Sequence, residues 1–281
     1  MEQAIPSWIK KRVSSGGDSE KVRLLLRELS INTVCESAVC PNIYECFRKG
    51  YASFMILGNG CTRNCRFCGV SPLRKTVLPD AEEPEKIALA VKKLGMSYAV
   101  ITSPTRDDLP DGGAGHFAAV AERIRRFNPE TKIELLIPDF KGNAESLKKI
   151  FSSKPDVISH NIETTASLYP YVRPSSDYGT SINVLKEVKK NGFIAKSGFM
   201  LGLGEKREDV LSLMYELKGA GCDYLVIGQY LRPSKKALPV KEFVKESVFR
   251  EMEETGKKIG FKNIFAGTFY RSSYMAEKLI Q

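Results

Sequence analysis

Phe54-Met-Ile-Leu-Gly-Asn-Gly-Cys61-Thr-Arg-Asn-Cys65-Arg-Phe-Cys68-Gly69 is the stretch on which the fold turns. Its first half is a short apolar run ending in glycine, the length of a buried strand. Its second half is a loop with three cysteines in Cys-x3-Cys-x2-Cys spacing. A strand that empties directly into a chemistry-bearing loop is the pattern of a parallel sheet, whose sites lie at the carboxyl ends of its strands. Three thiolates at this spacing suit three irons of a cubane iron–sulfur cluster. Full protein ligation of such a cluster takes four cysteines, so one iron is left for an exogenous ligand.

Outward from this stretch, strands and helices alternate. Strand-length runs recur at Tyr98–Thr102, Lys132–Ile137, Asp156–His160, Phe193–Met200 and Tyr224–Gly228. Between them lie apolar stripes at helical spacing. These are Ile87/Val91/Leu94, Phe117/Val120/Ile124/Phe127, Leu147/Ile150/Phe151, Ile182/Leu185/Val188, Val210/Met214/Leu217 and Phe243/Phe249/Met252/Ile259. Six strand–helix units imply a parallel sheet in an α/β fold. They are too few to close an eight-fold barrel, so the expected fold is a partial (β/α)6 barrel with N- and C-terminal extensions. The expected segments are 1–50, an extension with further cysteines and the helix-like stretch Glu20–Ser30; 51–260, the partial barrel; and 261–281, outside the repeat.

The N-terminal segment holds a second triplet, Cys35-Glu-Ser-Ala-Val-Cys40-Pro-Asn-Ile-Tyr-Glu-Cys46. Its three thiols again suit an incompletely ligated cluster. Disulfides need an oxidising compartment, and the first residues show no apolar signal core. Zinc takes four nitrogen or sulfur ligands, each triplet offers three, and the histidines, His116 and His160, are remote in sequence. The seventh cysteine, Cys222, reads as a small buried apolar residue.

The 281 residues are 42% hydrophobic and 27% charged, an ordinary globular composition. No apolar run approaches membrane-spanning length, and the expectation is a cytoplasmic protein with no membrane association. The net charge of +10 suits an acidic partner. The basic residues are scattered, with Lys10-Lys11-Arg12 the densest early cluster, so charge alone names no partner.

Several polar motifs stand at strand ends. Thr102 and Ser103 offer hydroxyls to the amino group of a bound cofactor, or form a polar turn. Asp111-Gly-Gly-Ala-Gly115 presents amides to an anion or simply starts a helix. Asn161 and Glu163 flank Ile162 and face one side of an extended chain, suited to ribose hydroxyls or to solvent. Arg173 suits a carboxylate, or the surface. The glycines of Gly198-Phe-Met-Leu-Gly202-Leu-Gly204 permit close approach of an adenine or of backbone. A serine of Arg271-Ser-Ser-Tyr274 offers an oxygen where the upstream triplet lacks a fourth ligand.

Taken together, these features resemble the lipoyl synthases of the radical S-adenosylmethionine superfamily. The resemblance runs from Cys35 to Tyr274. It rests on both triplets, Phe54–Gly58, Arg106-Asp-Asp-Leu-Pro-Asp-Gly-Gly-Ala-Gly-His-Phe117, Pro138-Asp-Phe140, His160-Asn161, Lys196-Ser-Gly198, Gly228-Gln-Tyr230 and Arg271–Tyr274. It implies two four-iron, four-sulfur clusters and S-adenosylmethionine. The cluster on Cys61, Cys65 and Cys68 cleaves S-adenosylmethionine to a 5′-deoxyadenosyl radical. The auxiliary cluster, on Cys35, Cys40, Cys46 and a terminal serine (Ser273 in preference to Ser272), gives one sulfur each to C6 and C8 of an octanoyl-lysyl chain. Thr102, Ser103, Asn161, Glu163 and Arg173 are the implied cofactor contacts. The implied partners are an octanoylated carrier domain and an electron donor protein. The carrier is a 2-oxoacid dehydrogenase acyltransferase or the glycine-cleavage H protein, both generally acidic, so the basic surface would speed encounter. Two departures from the common family pattern are Gly69, often Asp, and Ser103-Pro-Thr105, often Ser-Val-Asp.

Two other readings compete. A radical tRNA methylthiotransferase also uses a second three-cysteine cluster and suits a basic chain. Its usual extra domains are not expected here. A non-catalytic iron–sulfur regulator needs no six-unit sheet, and neither a recognition helix nor an aromatic-laced basic stripe stands out, so no nucleic acid is expected.

Overall fold

A computed structural model describes residues 5–11 and 17–280. Arg12 of the early basic cluster lies outside the described residues. The chain divides into two compact units, one within residues 13–63 and 70–158, the other within 1–12, 64–69 and 159–281.

The first unit opens with helix α1 (Gly17–Glu28). It carries acidic residues in its first turn and Arg27 in its last, matched to the helix dipole. It packs on α3 (Ile43–Arg48) through buried Val22 and Leu26. Between them, α2 (Val34–Ser37) starts at a side-chain N-cap: Thr33 Oγ1 accepts from Glu36 N and donates to Glu36 Oε2. Strand β1 (Ser53–Met55) follows, then the two-residue strands β2 (Gly60–Cys61) and β3 (Ser71–Pro72), paired in parallel. The alternation then runs α4 (Glu83–Lys93), β4 (Tyr98–Thr102), α5 (Ala114–Phe127), β5 (Lys132–Leu136), α6 (Ala144–Ser152) and β6 (Val157–Ser159). β1, β4 and β5 are parallel, with Ser53 opposite Val100 and Val100 opposite Glu134. β1 and β4 are buried along their whole length. Ile87 and Val91, then Phe117, Val120 and Ile124, then Leu147 and Ile150 form the buried helix stripes. Phe127 differs from expectation: at the last turn of α5 it is exposed, with Arg123 over its ring.

In the second unit come α7 (Tyr169–Val172), α8 (Tyr178–Lys190), β7 (Ile194–Leu201), α9 (Arg207–Gly219), β8 (Tyr224–Gln229), α10 (Glu246–Ile259), β9 (Asn263–Gly267) and α11 (Ala276–Leu279). β7, β8 and β9 are parallel, with Gly198 opposite Val226, Met200 opposite Gly228 and Gly228 opposite Gly267. Leu185, Leu213, Met214, Leu217, Phe249 and Met252 form the buried layer of the helices against Leu225 and Ile227. Phe243 lies before α10 rather than on it.

Among the described residues six strand–helix successions are present: β1–α4, β4–α5, β5–α6, β6–α8, β7–α9 and β8–α10. The stretch beyond Gly260, expected outside the repeat, adds a further parallel strand, β9, beside β8. With alternating half-burial and an Asn at its start, β9 lacks the continuous apolar signal of its neighbours.

Candidate active site

Within the first unit, the cysteine loop begins on a clamp that the sequence reading did not single out. Arg63 donates Nη1 and Nη2 to Asp139 at 2.5 and 2.6 Å, and Nε and Nη2 to Asp107 at 2.8 and 3.1 Å. Burial opposes the charge, but the two carboxylates outweigh it and keep the guanidinium protonated. The Arg63 amide points at Cys61 Sγ, 3.4 Å away. Thr62 N and Oγ1 donate to Thr105 O, and Asp107 N donates to Thr62 Oγ1. Asp139 is aimed by a strained turn: Phe140 and Lys141 both take left-handed backbone, φ 46° and 53°, and Lys141 N returns to Asp139 Oδ1.

A second arginine braces the approach to the loop. Arg106 is fully buried, grips Asp108 with Nε and Nη2, and donates to the carbonyls of Leu57 and Val77. Leu57 N is held by Glu83, whose carboxylate also meets His116 at 2.6 Å. These two arginines and His116 serve the loop as braces. Arg106 and His116 had a signal in sequence, the Arg106–Phe117 motif, which the family pattern carries but periodicity does not explain; Arg63, inside the cysteine loop, had none.

The upstream triplet also lies in this unit. Cys35 is buried in α2, Cys40 is half-buried past a left-handed Val39, and Cys46 is half-buried in α3. Cys40 N donates to Cys35 O at 2.9 Å. Burial, and next the nearby Cys40, push the Cys35 thiol up to about 11. Iron binding at such a thiol must release its proton.

Thr102 and Ser103 part company. Thr102 Oγ1 donates to Leu136 O at 2.9 Å, so its hydroxyl is engaged internally. Ser103 Oγ is buried with no hydrogen-bond partner among the described residues. Asp111 settles the glycine motif: its own carboxylate takes the amides of Gly113 and Gly115 and the Lys149 ammonium. The motif is a helix start, with those amides already engaged.

In the second unit, Cys65 and Cys68 are half-buried on a turn closed by Cys68 N to Cys65 O. Arg66 N donates to Val172 O, Leu238 N to Arg66 O, and Ser175 Oγ to Asn64 Oδ1. Phe67 packs against Val172, Leu203 and Tyr230. Burial, against nearby Arg232 and with nearby Cys68, pushes Tyr230 up to about 12.

Asn161, Glu163 and Arg173 come together. Arg173 is buried, not a surface residue; it donates Nη1 to Asn161 O and lies over the Tyr169 ring. Glu163 takes a left-handed φ of 71° while its N and O pair with Gly198 and Met200 of β7. Burial raises its carboxyl above the ordinary range, opposed by Arg173, Asn161 and Arg271. Next to it Thr164 Oγ1 is buried without a partner among the described residues. Asn161 Oδ1 accepts from Ser272 Oγ at 2.7 Å, which brings Arg271-Ser-Ser-Tyr274 to this group.

Among the described residues no set of three or more His, Cys, Asp or Glu gathers round a single-ion position. Cysteines that each hold a different iron of a cubane stand farther apart than ligands of one ion. The donor chemistry fits an iron–sulfur cluster, since all seven thiols are free. In the first unit the unpartnered hydroxyl of Ser103, and in the second unit that of Thr164 beside the strained Glu163, each suit a polar ligand, because buried polar atoms are otherwise satisfied.

The Radical SAM superfamily profile matches residues 55–228. Lipoyl synthase of Caldicellulosiruptor saccharolyticus is 50% identical over 280 residues, 99% of this chain and 98% of its own length. Lipoyl synthase of Chlorobium limicola is 45% identical over 99% of this chain and 96% of its own. Among solved structures, the FeFe-hydrogenase maturase of Carboxydothermus hydrogenoformans aligns over 93% of this chain and 68% of its own, with a TM-score of 0.59 at 13% identity. Methylornithine synthase aligns over 91% and 76%, with a TM-score of 0.57 at 14% identity. These two likenesses are of fold alone, whereas the near-complete alignment with curated relatives fixes the family: the chain belongs to the lipoyl synthases, a family of radical S-adenosylmethionine enzymes.

Proposed function

We propose that the chain inserts two sulfur atoms, at C6 and C8, into an octanoyl chain carried on a lysine of a lipoyl carrier domain. The observation that carries this reading is the 50% identity to a lipoyl synthase over 99% of the chain. The same identity disfavours a tRNA methylthiotransferase or a non-catalytic regulator.

Cys61, Cys65 and Cys68 would hold one four-iron cluster, and Cys35, Cys40 and Cys46 with Ser273 a second. When bound, the first cluster with S-adenosylmethionine supplies a carbon radical that takes hydrogen from C6 and C8, and the second supplies the sulfur. The chain's own work is to bind, orient and exclude water. The Arg63 clamp fixes the start of the radical-cluster loop. Ser103 offers its unpartnered hydroxyl to the cofactor's amino group. Asn161 and Glu163 take ribose hydroxyls. Arg173 balances the cofactor's carboxylate while it supports Asn161. Thr102, engaged with Leu136, acts by fixing Ser103 at the strand end. The acidic carrier, a 2-oxoacid dehydrogenase acyltransferase or the glycine-cleavage H protein, is drawn by the +10 charge. An electron donor protein completes the partners, and the reaction runs in the cytoplasm. No helix among the described residues is long and apolar enough to cross a membrane.

The test is anaerobic incubation of the reconstituted protein with S-adenosylmethionine, a reductant and an octanoyl-lysyl peptide, read by mass spectrometry. The expected product carries two added sulfur atoms. Cofactor cleavage without any sulfur in the peptide would sink the reading.

A further inference from the structure

We infer that Ser272 is not an iron ligand but a positioning residue, latched by Asn161 and Lys196 so that its neighbour Ser273 is held ready for iron. This rests on the proposed role of Ser273 in the second cluster.

The latch is built into the strands of the second unit. Lys196, on β7, is fully buried, and its ammonium donates to the Ser272 carbonyl at 2.6 Å. A charged donor to a main-chain carbonyl is stronger than a neutral one. Gly198 lies two residues along the same strand and faces the same side. A Cβ there would stand 2.9 Å from Ser272 Oγ and 3.1 Å from Asn161 Oδ1. On β8, a Cβ at Gly228 would stand 2.3 Å from Tyr270 O and 2.9 Å from Arg271 Nη1. Two glycines on adjacent strands thus form a trough in which the chain at 270–272 lies. Tyr270 also packs its ring on Phe265, centroids 5.0 Å apart. Of the glycines in the Gly198–Gly204 motif, expected to admit an adenine or backbone, Gly198 here admits the chain's own terminal motif.

The chemistry separates the two serines. Tyr274 N donates to Arg271 O at 2.9 Å, so Ser272 and Ser273 are the two central residues of a tight turn. Asn161 turns its amide nitrogen toward Glu163, which leaves its oxygen facing Ser272. Ser272 must therefore donate, and its hydroxyl is committed to Asn161. Ser273, half-buried, has no hydroxyl partner among the described residues.

The test uses the full chain with Cys61, Cys65 and Cys68 replaced by Ala, reconstituted anaerobically so that the second cluster alone is present. Mössbauer and electron paramagnetic resonance spectra report the ligand at its unique iron. Ser273→Cys is expected to shift the spectrum toward an all-thiolate cluster, and Ser272→Cys to leave it as in the parent. Ser272→Ala and Lys196→Met are expected to lower the serine-ligated fraction several-fold at unchanged total iron. Circular dichroism checks the fold, and Ser272→Ala alone carries the test where Lys196→Met does not fold. A shift with Ser272→Cys, or an unchanged spectrum in both latch variants, overturns the inference. An unchanged spectrum in Ser273→Ala and Ser273→Cys instead removes serine ligation itself, and the inference with it.

Discussion

Arg63 and Asp139 meet in a two-pronged ion pair of 2.5 and 2.6 Å, with only 3% and 2% of their side chains exposed. They are far apart in sequence, and the pair ties the Cys61 loop to the strained turn after β5. Removing Asp139 leaves the buried guanidinium with Asp107 as its remaining carboxylate and two of its donors without their partner, which costs about 1–3 kcal/mol. Asp139→Ala is expected to lose that much in urea unfolding of the metal-free protein. Replacing both partners, Arg63→Met with Asp139→Leu, is expected to recover most of it. The double variant is then stable yet poorly loaded, because the Arg63 amide is no longer aimed at Cys61. Full iron occupancy in the double variant would show that the clamp serves stability alone.

The two triplets predict a division of iron. With two four-iron clusters, replacing Cys61, Cys65 and Cys68 by Ala is expected to leave about half the iron and no cleavage of S-adenosylmethionine. Replacing Cys35, Cys40 and Cys46 is expected to leave cleavage intact and stop sulfur insertion. Iron analysis and chromatography of 5′-deoxyadenosine decide it. Lipoyl product from the second variant without an added sulfur source would refute the assignment.

Thr102 and Ser103 are adjacent hydroxyls with opposite expectations. Thr102→Ala removes an internal bond to Leu136 O and is expected to cost about 1 kcal/mol of stability. Ser103→Ala removes no internal partner, so stability is expected to stay within about 0.5 kcal/mol. Its loss belongs to cofactor binding, about tenfold for one hydrogen bond of about 1.4 kcal/mol. Equilibrium dialysis with S-adenosylmethionine, beside urea unfolding, separates the two. Equal binding by Ser103→Ala and the parent would return Ser103 to the status of a turn residue.

What could be read from sequence was what is local or periodic. Phe54–Gly58, Tyr98–Thr102 and Tyr224–Gly228 declare themselves because parallel strands buried on both faces become continuous apolar runs. The triplets declare themselves by spacing. The braces do not. Arg63, Arg106, Asp139 and Lys196 are charged residues, and charge normally marks the surface; only their partners in three dimensions explain their burial. Phe127 errs the other way, since a helical stripe continues past the last turn that has a neighbour to cover it. β9 was missed because its alternation is that of a half-covered strand, not of the fully buried strands before it.

Cys222 offers a check on the remaining thiol. It is fully buried between β7 and β8, its Sγ donating to Tyr224 O at 3.1 Å. Burial pushes it from 9.0 up to about 12. A thiolate is the reactive form, so the metal-free native protein at pH 8 is expected to leave Cys222 unmodified by iodoacetamide while Cys40, Cys46, Cys61, Cys65 and Cys68 react. Cys35, buried and raised to about 11, is expected to react more slowly than these. The stability sign follows. The folded chain holds the Cys222 proton more tightly than the unfolded one, so its contribution is complete below about pH 9 and is lost as pH rises toward 12. Cys222→Ala is accordingly expected to lose stability less steeply across that window in urea titrations. Tryptic mass mapping after alkylation reads the first expectation, and early labelling of Cys222 in the folded protein would mean that this strand pair opens to solvent.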